Sequence, residues 1–344
     1  MGQDLRRNTL LVRLSSIGDV VHTLPALAAL VRSGHQAGWI VEPAARPLLE
    51  GHPGLARGVF AAPPARGFAL SAARPLLAGL RRASFDVALD FQGLWKSAAW
   101  ARLSGARRVL GFAGAFRREP ASALLVSERI AQPAAARHVI DKNLALLQPL
   151  GIEALGLREF PLPDLSKEVL RVEAALRHWS FGPFVILNPG GGWESKLWPA
   201  DAFAALATRL AGQGVSMLVT FGPGEEALAD RIVAGSGGAA RKAFDTTLRE
   251  YVELARRARL VVAADTGPLH LACAVGTPVV GLFGPTDPER NGPFRAEDRV
   301  VRRAPSCAPC YRRQCPVHAG VMATVPVDEV LEAVLQRLAL AGAA

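Results

Sequence analysis

Thr9-Leu10-Leu11-Val12-Arg13-Leu14-Ser15-Ser16-Ile17-Gly18-Asp19-Val20-Val21 decides how the chain is read. The run Thr9–Leu14 is apolar apart from Arg13 and is strand-sized, a Ser-Ser pair and a glycine follow, and an apolar-periodic segment then continues to Val31. Strand, tight loop, helix is the resulting expectation. Outward from it, strands are expected at Ala37–Val41, Asp86–Asp90 and Arg108–Gly111, with helices over Ser71–Arg82 and Trp95–Leu103 between them. Such alternation predicts an α/β fold with a parallel sheet covered by helices on both faces.

At Glu159-Phe160-Pro161-Leu162-Pro163-Asp164 the pattern loosens into a proline-bearing connector, then restarts. Strands are expected at Phe184–Leu187, Val215–Thr220, Leu260–Ala264 and Val279–Leu282, and helices at Ala200–Ala211, Glu225–Val233, Leu248–Arg257 and Leu269–Val275. The 344 residues therefore divide into two doubly wound, Rossmann-like domains, 1–160 and 161–344, expected to face each other across a cleft.

The formal charge of +10 is unevenly placed. Residues 1–160 hold 20 basic against 11 acidic residues, net +9, and residues 161–344 hold 20 against 19. A polyanionic surface is expected to meet the first half, although an Arg-rich composition without a dedicated partner gives the same count. Aromatic residues are only 6% of the chain and no nucleic-acid module is visible, which argues against nucleic acid as that polyanion. No stretch reaches the ~18 uninterrupted apolar residues of a membrane span. A polar N-terminus entering a strand and only four cysteines predict a reduced, cytoplasmic protein without a signal peptide.

Chemistry is expected where strands end. Asn188-Pro189-Gly190-Gly191-Gly192 follows a strand, with Lys196 shortly after. Glycines let backbone approach a ligand and the lysine suits phosphate, but a structural turn would look the same. Asp265-Thr266-Gly267-Pro268-Leu269-His270 opens a helix, whose N-terminus can hold a diphosphate at Thr266 and Gly267. Asp265 suits sugar hydroxyls or caps the helix, and His270 supports it or is a core residue. In the first half, Ser15, Ser16, Gly18 and Asp19 end strand one, where Asp19 either caps its helix or serves as a general base. Asp90-Phe91-Gln92-Gly93, then Lys96, ends another strand; Arg107, Arg108, Arg117 and Arg118 read as a basic cluster for an anionic acceptor.

Leu11–Pro25 closely resembles the N-terminal motif of the lipopolysaccharide heptosyltransferases, type I in particular, and Asp265–His270 with Gly284–Pro288 resembles their donor signature. Phe91–Lys96, Arg118-Glu119-Pro120 and His138 agree as well. The resemblance implies an inverting transferase of the GT-B type, using no cofactor or catalytic metal. Its donor would be ADP-L-glycero-D-manno-heptose, and its acceptor Kdo on lipid A at the cytoplasmic face of the inner membrane. It further implies Asp19 as the base, Lys196 as the group steadying the departing diphosphate, and Asp265 as the grip on heptose hydroxyls. Thr266, Gly267 and His270 match the diphosphate turn, and Glu225 or Glu226 would hold the ribose. Ser15, Ser16, Gly18, Gln92, Lys96, Arg117 and Arg118 remain for the acceptor.

The tail departs from type I. Cys307, Cys310 and Cys315, with His318, resemble a cysteine-rich segment of type II members and have spacing that suits zinc, yet Val321 stands where a further cysteine is expected. Unliganded thiols are the favoured reading. A type II acceptor, another member's acceptor, or nucleotide-sugar epimerisation in the same two-domain fold are the alternatives.

Overall fold

The structure is a computed structural model and describes residues 7–63, 70–179, 182–310, 312–315 and 320–342. The chain separates into two compact units, Met1–Asp164 and Leu165–Ala344.

In the first unit the strands are β1 (Asn8–Val12), β2 (Gln36–Val41), β3 (Gly58–Ala61), β4 (Val87–Asp90), β5 (Arg108–Phe112) and β6 (Glu128–Ile130). They pair in parallel in the order β3-β2-β1-β4-β5-β6. Alternation along β1 sends Leu10 and Val12 to one face, where they meet Leu76 and Leu80 of helix Leu70–Ala83 and Trp100 of helix Trp95–Leu103. Helix Leu24–Arg32 lies against β2 and against helix Val139–Ala145. Both faces are thus covered, as a parallel sheet requires.

The second unit repeats the plan with β7 (Phe184–Asn188), β8 (Ser216–Val219), β9 (Ala240–Lys242), β10 (Leu260–Ala264), β11 (Val279–Phe283) and β12 (Arg299–Arg302), ordered β12-β11-β10-β7-β8-β9. Counted within its own unit, this order equals that of the first sheet. Phe203 and Leu210 of helix Ala200–Ala211 and Val330 and Val334 of helix Val327–Gly342 fill one face, and Trp198 meets Phe203 edge-to-face at 4.8 Å.

Both sheets reverse winding at one place, between β1 and β4 and between β7 and β10. In open α/β sheets ligands bind beyond the carboxyl ends of the strands at such a reversal. The four loops there begin at Arg13, Phe91, Pro189 and Asp265. The helix expected to run on to Val31 is instead two, Ile17–Val21 and Leu24–Arg32. Pro25 would oppose a carbonyl one turn back in a continuous helix, so it sits in the first turn of a new one.

Candidate active site

At the reversal of the first sheet, Asp19 lies in the first turn of helix Ile17–Val21. Its Oδ2 accepts from the Ser16 backbone N–H and from Ser16 Oγ, both at 3.1 Å, and its Oδ1 pairs with Arg13. Arg13 is buried, with Nη1 donating to the Phe91 carbonyl at 2.5 Å, which ties the β1 loop to the β4 loop. Gln92 adds a second tie by accepting from the Leu14 N–H at 2.8 Å. The Asp19 side chain nonetheless stays 35% exposed. It is a carboxylate anchored by Arg13 and Ser16 and partly exposed to solvent.

Asp90 behaves differently. It pairs with Arg117, both side chains being fully buried, while its Oδ1 accepts from the N–H groups of Gln92 and Gly93 at 3.1 and 3.2 Å. Gly93 has φ +71°, a left-handed conformation that glycine adopts without penalty. Lys96 pairs with Glu42 at 2.5 Å.

At the reversal of the second sheet, the loop Gly190–Gly192 is held against two neighbours. Glu225 accepts from the Gly191 N–H at 2.9 Å through Oε1 and from the Gly222 N–H at 2.8 Å through Oε2. A Cβ at Gly190 would collide with the Glu225 carboxylate, and one at Gly191 would lie 2.7 Å from Thr266 Cγ2, so a side chain at either position would have to displace its neighbour. Lys196 Nζ donates to Asp265 Oδ2 at 2.7 Å and to the Asp265 carbonyl at 2.9 Å, and rests 4.5 Å from the centre of the Trp193 ring. An ammonium has three N–H donors, so one is left for a ligand. His270 Nε2 lies 3.0 Å from Asp265 Oδ1 and donates to it, since an ionised carboxylate can only accept. Burial pushes the Asp265 carboxyl up, but the His270 hydrogen bond and the Lys196 charge outweigh burial and hold it well below the usual carboxylate range. Thr266 begins helix Gly267–Ala274 without a side-chain cap, and uncapped first-turn N–H groups are the kind that can receive an anion.

A lysine, an uncapped helix start and a glycine loop thus converge at one sheet reversal, the layout of a phosphate-binding half. The family model described as Glycosyltransferase family 9 (heptosyltransferase) matches residues 74–319. The chain belongs to this family. It is 32% identical to lipopolysaccharide heptosyltransferase 1 of Pseudomonas aeruginosa over 319 residues, 89% of this chain and 86% of that protein. In fold, this glycosyltransferase is similar to a family 9 glycosyl transferase from Veillonella parvula (TM-score 0.81, 16% identity, 97% of each chain). It is also similar to an E. coli heptosyltransferase solved with ADP (TM-score 0.75, 22% identity, 96% of this chain and 99% of that one).

Against the expectations for a family 9 transferase, four placements differ. Arg117 is turned inward, spent on Asp90, Ser122 Oγ at 2.8 Å and the Phe112 carbonyl at 3.3 Å, and so has no face for an acceptor. The expected arginine cluster is split: Arg107 and Arg108 lie at the start of β5 and Arg118 beyond its end, about 16 Å of strand apart. Arg108 pairs with Glu128 at 2.6 Å, and Arg118 is exposed. Asp265 is 2% exposed, with one oxygen on Lys196 and the other on His270. Glu225 braces backbone, and Glu226 is exposed in the first turn of helix Glu226–Gly235. Ser15 is half-buried, Ser16 exposed and Gly18 buried, all beside Asp19.

Two residues that hold the site were not anticipated. Arg13 reads as an ordinary interruption of a strand, and Trp193 as a loop residue; only the fold puts them on Asp19 and Lys196. His318 lies outside the described residues, and among those described no group of three or more His, Cys, Asp or Glu could hold a metal. No described helix is long and apolar enough to cross a membrane.

Proposed function

We propose that this family 9 enzyme transfers L-glycero-D-manno-heptose from ADP-heptose to Kdo on lipid A of the lipopolysaccharide inner core, by a single inverting displacement. The observation that carries this reading is Lys196, fixed by Asp265 and Trp193 beside the glycine loop and the start of helix Gly267–Ala274. The second unit binds the donor. Its diphosphate takes the remaining Lys196 N–H and the backbone N–H groups at Thr266 and Gly267, which stabilise the charge that grows as ADP leaves. Departing diphosphate then needs little protonation.

The first unit binds the acceptor, through Ser15, Ser16, Gly18, Gln92, Lys96 and Arg118. Asp19 takes the proton from the attacking hydroxyl while Arg13 and Ser16 hold its carboxylate in place. With net +9 in residues 1–160, this half meets the anionic cytoplasmic face of the inner membrane, where a lipid-linked acceptor would reside. The test is to incubate the protein with ADP-heptose and Kdo-lipid A and weigh the lipid. A gain of one heptosyl residue is expected; ADP release that leaves the lipid mass unchanged would refute the reading.

A further inference from the structure

The cysteine-bearing tail, unused by the proposed chemistry, runs along the carboxyl end of the second sheet. It leaves edge strand β12 with Arg303 N–H donating to the Phe283 carbonyl, at the end of β11, at 3.1 Å. Cys310 N–H then donates at 3.0 Å to the carbonyl of Pro285, within Gly284–Pro288. Two positions on, the chain meets the loop after β7: Ser195 Oγ donates to the Arg312 carbonyl at 2.6 Å, and Ser195 N–H to the Arg313 carbonyl at 3.1 Å. Gln314 Nε2 donates to Glu194 Oε2 at 3.2 Å, and Nε1 of buried Trp198 to the Val325 carbonyl at 3.0 Å. Lys196 therefore lies between two residues, Ser195 and Trp198, that are both fastened to the tail. The turn Glu194–Lys196 is a single short 3₁₀ turn, whose own hydrogen bonds are of the weaker kind, so these outside bonds set its place. Ser195 is buried and its one hydroxyl proton is spent on Arg312.

We propose that Ser195 is a positioning residue for the transfer step: clamped to the Arg312 and Arg313 carbonyls, it fixes the turn that presents Lys196 to the departing diphosphate. The inference rests on the Lys196 reading above and adds what sets the lysine in place. A lysine carries a point charge on a flexible four-carbon stem, so both of its ends need fixing. Asp265 and Trp193 hold the ammonium end, and Ser195 holds the backbone end. A cation stabilises a leaving group best when it is held in position beforehand, and a displacement of about 1 Å can cost about 10²-fold in rate. The tail supplies main-chain carbonyls to this clamp, so the contact does not depend on the exposed side chains of Arg312 and Arg313.

Ser195→Ala removes the hydroxyl and keeps the N–H bond to Arg313. ADP release from ADP-heptose with Kdo-lipid A is measured for the unaltered protein, Ser195→Ala, Lys196→Ala and the double variant, each verified as folded by its thermal transition. Ser195→Ala is expected to lower kcat about tenfold with little change in KM for ADP-heptose, and to cost less than about twofold once Lys196 is absent. Equal losses in the two backgrounds overturn the inference, as does an unchanged kcat in Ser195→Ala alone. A full kcat in Lys196→Ala refutes the donor reading itself, and the inference falls with it. A second readout needs no acceptor: brief acetylation with acetic anhydride, followed at Lys196 by peptide mass spectrometry, should run several-fold faster in Ser195→Ala than in the unaltered protein, and equal rates overturn the inference. Should no protein turn over this acceptor, the transfer reading fails, while the labelling still decides whether Ser195 holds Lys196.

Discussion

Asp19 lies in the loop and first helical turn after β1 and Asp265 directly after β10, strands that border the reversals of their respective sheets, yet the two carboxylates are held in opposite ways. Asp19 is one-third exposed and held by Arg13 and Ser16 from one side, so a ligand's proton can reach it. Asp265 is sealed, with one oxygen on His270 and the other on Lys196, and its carboxyl is held far below the range in which it could take up a proton. Exposure, rather than residue type, separates a carboxylate that can exchange a proton from one that fixes a cation.

The largest expected effect tests the exposed member. Asp19→Asn keeps the size and hydrogen-bonding shape of the side chain but removes its basicity; turnover should fall roughly 10²–10⁴-fold while thermal stability stays near normal. Retention of a tenth of the activity would make Asp19 a structural residue. Asp90 would not replace it, being buried against Arg117.

Asp265→Asn should act mainly on stability, because it strands the mostly buried Lys196 ammonium. A cost of about 3–5 kcal/mol is expected in denaturant unfolding near neutral pH. Since its folded pKa is depressed, the Asp265 contribution is complete above its unfolded pKa, about 3.9, and is lost only as pH falls below it. The stability gap between the two proteins should hence be flat from about pH 5 upward and narrow in stronger acid; a gap that narrows near pH 6 would contradict the pairing.

Lys196→Ala should lower kcat roughly 10²-fold with only a modest change in ADP affinity, since the charge it meets is greatest as diphosphate departs. An unchanged kcat would leave the lysine as a mere partner of Asp265. Smallest of all, Glu225→Gln can satisfy only one of the Gly191 and Gly222 N–H groups, and should weaken ADP-heptose binding by about tenfold through a loosened glycine loop. Unaltered binding would show that the loop holds its shape without the brace.

The sequence showed the interior of each sheet and missed its rims. β1, β2, β4 and β5, and their counterparts β7, β8, β10 and β11, are buried on both faces and appear as apolar runs. The strands β3, β6, β9 and β12 are the four edges, short and partly exposed, and Glu128–Ile130 or Ala240–Lys242 carries no pattern to find. Site loops were legible because they follow those buried strands. Pairings within them were not: Lys196 and Asp265 lie 69 residues apart and meet only because β7 and β10 are neighbours. For the same reason four arginines between residues 107 and 118 resembled one cluster, although β5 carries two of them to its far end.

The contrast between the two carboxylates is tested most directly by calorimetric titration of ADP-heptose into Asp19→Asn and Asp265→Asn, each verified as folded. If the exposed carboxylate serves the acceptor and the sealed one maintains the donor site, Asp19→Asn will bind ADP-heptose as the unaltered protein does, and Asp265→Asn will bind it more weakly. Weakened donor binding in Asp19→Asn together with normal binding in Asp265→Asn would contradict that division.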